Sequence, residues 1–105
     1  MKIGIAGVGG IGSNVAMHLV RSGVKNLKFG DFDVIENSNL NRQFYFEEQV
    51  GKEKVEVLRE NLTKISQGSY ESEIIKFGKE NLKNFFKDCN IIIDGFDKKE
   101  LKSLL

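Results

Sequence analysis

The sequence predicts an α/β fold, namely a Rossmann-like parallel sheet with helices on both of its faces. Short apolar runs alternate along the chain with segments of helical periodicity. A glycine-rich turn at residues 7–13 follows the first apolar run, as it does at the first strand of many doubly wound sheets. Three consecutive isoleucines at 91–93 are typical of a central parallel strand that is buried on both faces. With right-handed crossovers, the expected strand order is 3-2-1-4.

The first half of the chain predicts a strand, a helix and a second strand in turn. The apolar run Ile3–Ala6 predicts the first strand. Residues 13–22 have the composition of a helix, and Gly23 commonly ends such a helix in the left-handed conformation. A second apolar run at 27–31 predicts the second strand. The polar residues 36–43 that come next include three asparagines, which favour turns over regular structure.

The second half predicts two further strands and three helices. Four apolar residues recur at helical spacing and predict a second helix with one core-facing stripe: Val55, Leu58, Leu62 and Ile65. A third strand is expected at 73–77, a short third helix at 82–86 and a fourth strand at Ile91–Asp94. A last helix is expected at 100–105, so the sheet would have an open edge after the fourth strand. We therefore expect these four strands to be part of a larger sheet.

Length and composition limit the classes of protein that this chain can belong to. Its 105 residues suit one domain, and 40% hydrophobic with 30% charged residues is ordinary for a soluble globular protein. No apolar run approaches the ~20 residues that span a bilayer, and we expect a cytoplasmic location. A net charge of +1 with scattered charges gives no footprint for nucleic acid. Cys89 is the single cysteine, which excludes an intramolecular disulfide, and we interpret it as a small apolar residue.

The glycine-rich turn predicts a site for phosphate groups. Glycines at 7, 9 and 12 let the backbone bend sharply and approach a phosphate closely, while the start of the helix offers unpaired N–H groups. Asp31 follows Gly12 by about 20 residues, the spacing at which a carboxylate accepts hydrogen bonds from a ribose. This combination alone also fits proteins that bind nicotinamide or flavin dinucleotides.

Basic and acidic residues elsewhere indicate transfer of a nucleotidyl group. Negative charge builds on the α-phosphoryl group and the departing pyrophosphate, so such a site needs fixed cations and a metal ion. Arg42 can form a two-pronged contact with phosphate oxygens, and Lys54, preferred over Lys52, supplies a point charge. Asp94 and Asp97, at the carboxyl end of the fourth strand, are the candidate ligands of magnesium, and spacing does not choose between them.

Five segments in this order resemble the ThiF/MoeB/HesA superfamily, the adenylating enzymes related to ubiquitin-activating enzyme. They are GVGGIGS at 7–13, DFD at 31–33, SNLNRQ at 38–43, GKEKVE at 51–56 and DGFD at 94–97. The resemblance spans nearly all of the chain and corresponds to about the first half of the family's catalytic domain. The short spacing is most similar to that of compact ThiF-type proteins, which serve the sulfur carrier of thiamine biosynthesis.

The resemblance implies an activity, cofactors and a set of site residues. ATP would adenylate the C-terminal glycine of a ubiquitin-like, ThiS-like sulfur carrier in a magnesium-dependent reaction, and the protein would be a homodimer. The glycines of the turn would cradle the phosphates: Gly7, Gly9, Gly10 and Gly12. Asp31 would bind the ribose, and Asp97 would hold Mg²⁺. The triphosphate would be contacted around its α-phosphate by Asn39 and by the two catalytic cations, Arg42 and Lys54.

Two other functions remain open at this point. An NAD-binding oxidoreductase is permitted by the glycine turn and Asp31, but its chemistry gives no task to Arg42 or Lys54. The open sheet edge also permits a non-catalytic fragment that binds a carrier or another partner without turning over ATP.

Overall fold

The sheet has the predicted architecture. The computed structural model describes residues 1–96, and the helix expected at 100–105 and Asp97 lie outside these described residues. The strands are β1 (Ile3–Ala6), β2 (Asn26–Asp31), β3 (Ser69–Ile74) and β4 (Ile91–Asp94). They pair in parallel in the order β3-β2-β1-β4. The predicted fold class and strand order are confirmed.

Three helices connect these strands. They are α1 (Gly10–Arg21), α2 (Lys54–Ile65) and α3 (Lys79–Phe85). The helix α1 begins three residues before the predicted start, because Gly10 and Gly12 belong to its first turn. Gly23 has a φ of 103°, as expected of the residue that ends α1. Within residues 1–96, no helix combines the length and the apolar character needed to cross a membrane.

The predicted position of the third strand is wrong by several residues. Residues 73–77 were expected to form it because they are rich in residues that favour strands, whereas the strand is Ser69–Ile74. Among the described strands it pairs only with β2, at an edge of the sheet, so most of its side chains are exposed and can be polar. Ile75 and Phe77 instead pack after the strand, in the apolar cluster beneath α3.

The prediction that the three isoleucines of β4 are buried on both faces is also wrong. Ile91 and Ile92 are 45% and 48% exposed, and only Ile93 packs against a core cluster. Among the described strands, β4 pairs with β1 alone and forms the other edge of the sheet.

Each face of the sheet carries one apolar cluster. The larger cluster lies between the sheet and helices α1 and α2, and its fully buried members include Ile5, Leu27, Phe29, Leu58 and Leu62. The smaller cluster lies on the opposite face, where Phe77 and Phe86 pack against β1 and α3. The carboxyl ends of the strands, and with them the glycine turn, remain at one edge of this two-sided core.

Candidate functional site

The glycine turn has the geometry that its sequence predicts. Gly7 has a φ of 87°, and its N–H donates to the carbonyl of Gly30 at 2.9 Å, which fixes the turn to β2. A Cβ at Gly12 would lie 1.8 Å from the carbonyl oxygen of Gly7, so only glycine fits there. No side chain caps the start of α1. Its first N–H groups are therefore available to an anion.

Asp31 fixes this turn from the adjacent strand. Its side chain is 5% exposed, and Oδ2 accepts a hydrogen bond from the N–H of Val8 at 2.9 Å. Oδ1 accepts from the N–H groups of Phe32 and Asp33, at 2.7 and 3.2 Å. The carboxylate thus has a structural task that the sequence did not reveal, and its contact with a ribose stays a prediction.

A loop after β2 brings Arg42 to the turn. Asn14, in the first turns of α1, donates through Nδ2 to the carbonyls of Gly10 and Arg42, both at 2.7 Å. The Cβ position of Gly10 is 3.8 Å from Arg42 Nε, so the exposed side chain of Arg42 lies over the start of the helix. This places the guanidinium where an anion bound to the helix N–H groups would meet it.

The same loop is attached to the turn at two further points. Ser13 Oγ accepts a hydrogen bond from the N–H of Phe44 at 3.0 Å. The hydroxyl of Tyr45 donates to the carbonyl of Val8 at 2.6 Å, and burial raises the pKa of Tyr45, which keeps it a donor. Sequence reasoning missed Ser13, Asn14 and Tyr45. The only signal was that two small polar residues follow the last glycine directly.

Asn39 and Gln43 are buried polar residues of the same loop. Asn39 is buried, its Oδ1 accepts from the N–H of Glu36 at 2.8 Å, and its carbonyl accepts from the N–H groups of Arg42 and Gln43. Only its Nδ2 is left for the predicted phosphate contact, which stays a prediction. The Nε2 of Gln43 lies 3.7 Å from the Cβ position of Gly9, so this amide also covers the turn.

Lys54 is a nearly buried cation at the start of α2. Its side chain is 6% exposed, and Nζ lies 3.8 Å from Asp33 Oδ2, beyond hydrogen-bond distance. Among the described residues, Nζ has no hydrogen-bond acceptor. Burial raises the pKa of the Asp33 carboxyl, the Asp31 carboxylate raises it further, and Lys54 opposes both. Lys52 is exposed, so the geometry favours Lys54 over Lys52 as the cation of the site.

The candidate metal ligands lie at the end of β4. Asp94 is exposed, and its Oδ1 accepts from the N–H of Phe96 at 3.0 Å. The N–H of Gly95 donates to the carbonyl of Ala6 at 2.7 Å, which holds this strand end beside the glycine turn. Residues 1–96 contain no group of three metal-ligating side chains. A single carboxylate suffices where phosphates supply the other ligands of Mg²⁺.

Comparisons with known proteins agree with this geometry. The ThiF family model matches residues 1–105. SUMO-activating enzyme subunit 2 of Dictyostelium discoideum is 35% identical over 105 residues, which cover 91% of this chain and 15% of that protein. The NEDD8-activating enzyme E1 catalytic subunit of Arabidopsis thaliana is 38% identical over 109 residues, with 100% of this chain and 23% of that protein covered. This chain therefore spans about a fifth of the length of these relatives.

Solved structures with bound nucleotides have the same fold. The E. coli tRNA N6-threonylcarbamoyladenosine dehydratase TcdA in complex with AMP superposes with a TM-score of 0.86 at 27% identity, over 92% of this chain and 41% of that one. E. coli MccB with ATP superposes with a TM-score of 0.69 at 39% identity, over 71% of this chain and 23% of that one.

Proposed function

We propose that this chain, which belongs to the ThiF family, is the nucleotide-binding part of an ATP-dependent adenylyltransferase. Its substrate would be the C-terminal carboxylate of a ubiquitin-like protein or a peptide. Relatives named as activating enzymes for SUMO and NEDD8, and a solved structure of E. coli MccB with AMPCPP and MccA, support this substrate class.

The nearly buried side chain of Lys54 is the observation that carries the proposal. Only 6% of this side chain is exposed, and its Nζ lies 3.8 Å from Asp33 Oδ2, so the ammonium has little contact with water and is only loosely paired. A phosphate oxygen would supply an acceptor at hydrogen-bond distance. The N–H groups at the start of α1 and the guanidinium of Arg42 would add donors for the same anion.

These groups suit the chemistry of adenylation. A carboxylate oxygen of the substrate attacks the α-phosphorus of ATP, the bond to the β-phosphate oxygen breaks, and pyrophosphate departs with its electron pair. The products are an acyl adenylate and pyrophosphate. Arg42, Lys54 and the helix N–H groups would stabilise the negative charge that builds on the α-phosphoryl and leaving groups.

Magnesium suits the acidic residues at and just after the end of β4. Asp94, or Asp97 outside the described residues, would hold the ion beside the phosphates, where Mg²⁺ neutralises charge on the pyrophosphate. Asp31 would bind the ribose hydroxyls through lone pairs that the backbone N–H groups leave free.

A finer assignment rests on the motif spacing. The compact arrangement favours a ThiS-like sulfur carrier of thiamine biosynthesis as the ubiquitin-like partner, with a cytoplasmic homodimer as the working form. ATP–pyrophosphate exchange, measured with a ThiS-like carrier and with the same carrier lacking its last glycine, tests this assignment. Exchange that does not depend on the carrier would contradict it.

Isothermal titration calorimetry tests the nucleotide site directly. We expect the chain to bind ATP more tightly than NAD, and Lys54→Met to weaken ATP binding by about 10-fold or more, which corresponds to ~1.4 kcal/mol or more. Lys52→Met removes an exposed charge two residues away and should change the Kd by less than about twofold. Equal effects of the two substitutions, or a preference for NAD, would overturn the proposal.

A further inference from the structure

Two buried amide side chains, Gln49 and Asn61, lie outside the nucleotide site described above. They are 5% and 1% exposed. Gln49 Nε2 donates to Asn61 Oδ1 at 2.7 Å, and Asn61 Nδ2 donates to Gln49 Oε1 at 3.2 Å. Polar side chains this deeply buried are stable only when their hydrogen bonds are made. The pair therefore holds the groups that bond to it in defined positions.

The pair contacts the backbone of the loop between β2 and α2 that carries Arg42, called the Arg42 loop below. Asn61 Nδ2 donates to the carbonyl of Phe44 at 3.2 Å, and Gln49 Oε1 accepts from the N–H of Phe46 at 2.9 Å. Asn61 is a residue of α2, whose first residue is Lys54. The loop that carries Arg42 is therefore bonded to the helix that carries Lys54.

The peptide groups of Phe44 join this contact to α1. The N–H of Phe44 donates to Ser13 of α1, while its carbonyl accepts from Asn61 of α2. Arg42 lies two residues before Phe44, and its own carbonyl accepts from Asn14 of α1. One short segment of backbone thus connects the start of α1, the guanidinium of Arg42 and the helix of Lys54.

We propose that Asn61 is a positioning residue for the phosphate site, because through Phe44 it fixes Arg42 relative to Lys54. The inference rests on the proposed function, since it assumes that both cations meet the same polyphosphate. Electrostatic stabilisation depends on such fixed geometry, and a displacement of about 1 Å can reduce a rate on the order of 100-fold.

Calorimetric titration of the 105-residue chain with inorganic tripolyphosphate and, separately, with adenosine tests the inference. Asn61→Leu keeps the approximate volume of the side chain but removes its hydrogen bonds. We expect it to weaken tripolyphosphate binding by about 10-fold and to change adenosine binding by less than about twofold. In an Arg42→Ala background, the same substitution should weaken tripolyphosphate by less than about twofold, because the residue that Asn61 positions is gone.

Val57→Ala is the matched control. Val57 is a buried apolar residue of the same helix, so its truncation loosens the packing of α2 without removing a hydrogen bond that holds the loop. It should leave the preference for tripolyphosphate over adenosine unchanged. If Asn61→Leu does not fold, Gln49→Leu serves instead, because it removes the two hydrogen bonds that orient the amide of Asn61 and the bond to Phe46. It should weaken tripolyphosphate selectively in the same way.

Three outcomes would overturn the inference and leave the proposed function in place. They are an unaltered affinity for tripolyphosphate in Asn61→Leu, an equal loss of affinity for tripolyphosphate and adenosine, and a loss that persists undiminished in the Arg42→Ala background. A wild-type chain that binds neither ATP nor tripolyphosphate would instead overturn the proposed function itself.

Discussion

At the scale of single residues, the glycines of the turn are required for different physical reasons. Gly7 adopts a φ of 87°, which side chains other than glycine rarely adopt. Gly12 has ordinary helical backbone, but its Cβ position is 1.8 Å from the carbonyl oxygen of Gly7. Gly10 has neither constraint, because its Cβ would meet only the flexible side chain of Arg42 at 3.8 Å or more.

This difference predicts opposite results for two alanine substitutions. Gly12→Ala must displace the backbone of the turn, and we expect it to lower the free energy of unfolding by about 1–3 kcal/mol, the usual cost of overpacking. Gly10→Ala should be neutral or stabilising by up to about 1 kcal/mol, because alanine favours helix. Urea unfolding of both variants measures the effects. Similar losses of unfolding free energy at the two positions would show that the turn does not exclude a side chain at Gly12 more strongly than at Gly10.

The residue types of the site could be predicted only in part. Arg42 and Lys54 stand out because cations near a phosphate turn have a chemical reason to be there, and the structure places Arg42 at the turn and buries Lys54. The supporting residues Ser13 and Asn14 look like ordinary helix residues, since their partners are backbone groups some 30 positions away in sequence. Such long-range contacts leave no local pattern.

At the scale of elements, composition predicted that a strand exists better than it predicted where the strand lies or how deeply it is buried. The third strand was placed on Ile75 and Phe77, although the edge strand Ser69–Ile74 needs no apolar face toward solvent. Likewise, three isoleucines indicate a strand, but how deeply β4 is buried depends on its neighbours, and only β1 flanks it among the described strands. Helix α2 was predicted better because its periodic apolar stripe faces the larger core.

The attachment of the Arg42 loop to the turn also predicts an effect at this scale. Tyr45→Phe removes one hydroxyl and leaves the carbonyl of Val8 without its partner at a buried position. We expect the free energy of unfolding to fall by about 1–3 kcal/mol. Tyr70→Phe is the control, because its hydroxyl meets Ser66 at a partly buried helix end that water can reach, and the loss should be under about 1 kcal/mol. A larger loss at Tyr70 in chemical denaturation would contradict this ranking.

At the scale of the whole molecule, one network of charges connects separate parts of the sheet. Lys2, just before β1, donates to Glu71 of β3 at 3.1 Å and to Asp88, after α3, at 2.6 Å. Lys28 of β2 reaches Asp88 at 3.4 Å and lies 4.5 Å from the ring centre of Phe85. These contacts join three strands to α3 on the face of the smaller apolar cluster.

The network predicts how stability depends on pH. The hydrogen bond from Lys2 is the main cause that lowers the pKa of Asp88 from its ordinary 3.8 to about 2, against the opposing effect of burial. Because the folded pKa is depressed, the stabilisation is present above pH 3.8 and is lost as the pH falls toward about 2. Lys2 has a raised pKa, so its contribution is present below pH 10.5 and is lost at higher pH. Both contributions should be modest, since the acidic partners are half exposed.

Asp88→Asn tests this dependence. The free energy of unfolding of the wild-type chain should fall more steeply between pH 4 and pH 2 than that of Asp88→Asn, and the difference should shrink in salt, which screens exposed charges. Glu60→Gln serves as the control, because Glu60 is an exposed carboxylate that forms no ion pair within residues 1–96. Its pH profile should parallel that of the wild type. A profile of Asp88→Asn that also parallels the wild type would show that the core, without this network, holds the three strands and α3 together in acid.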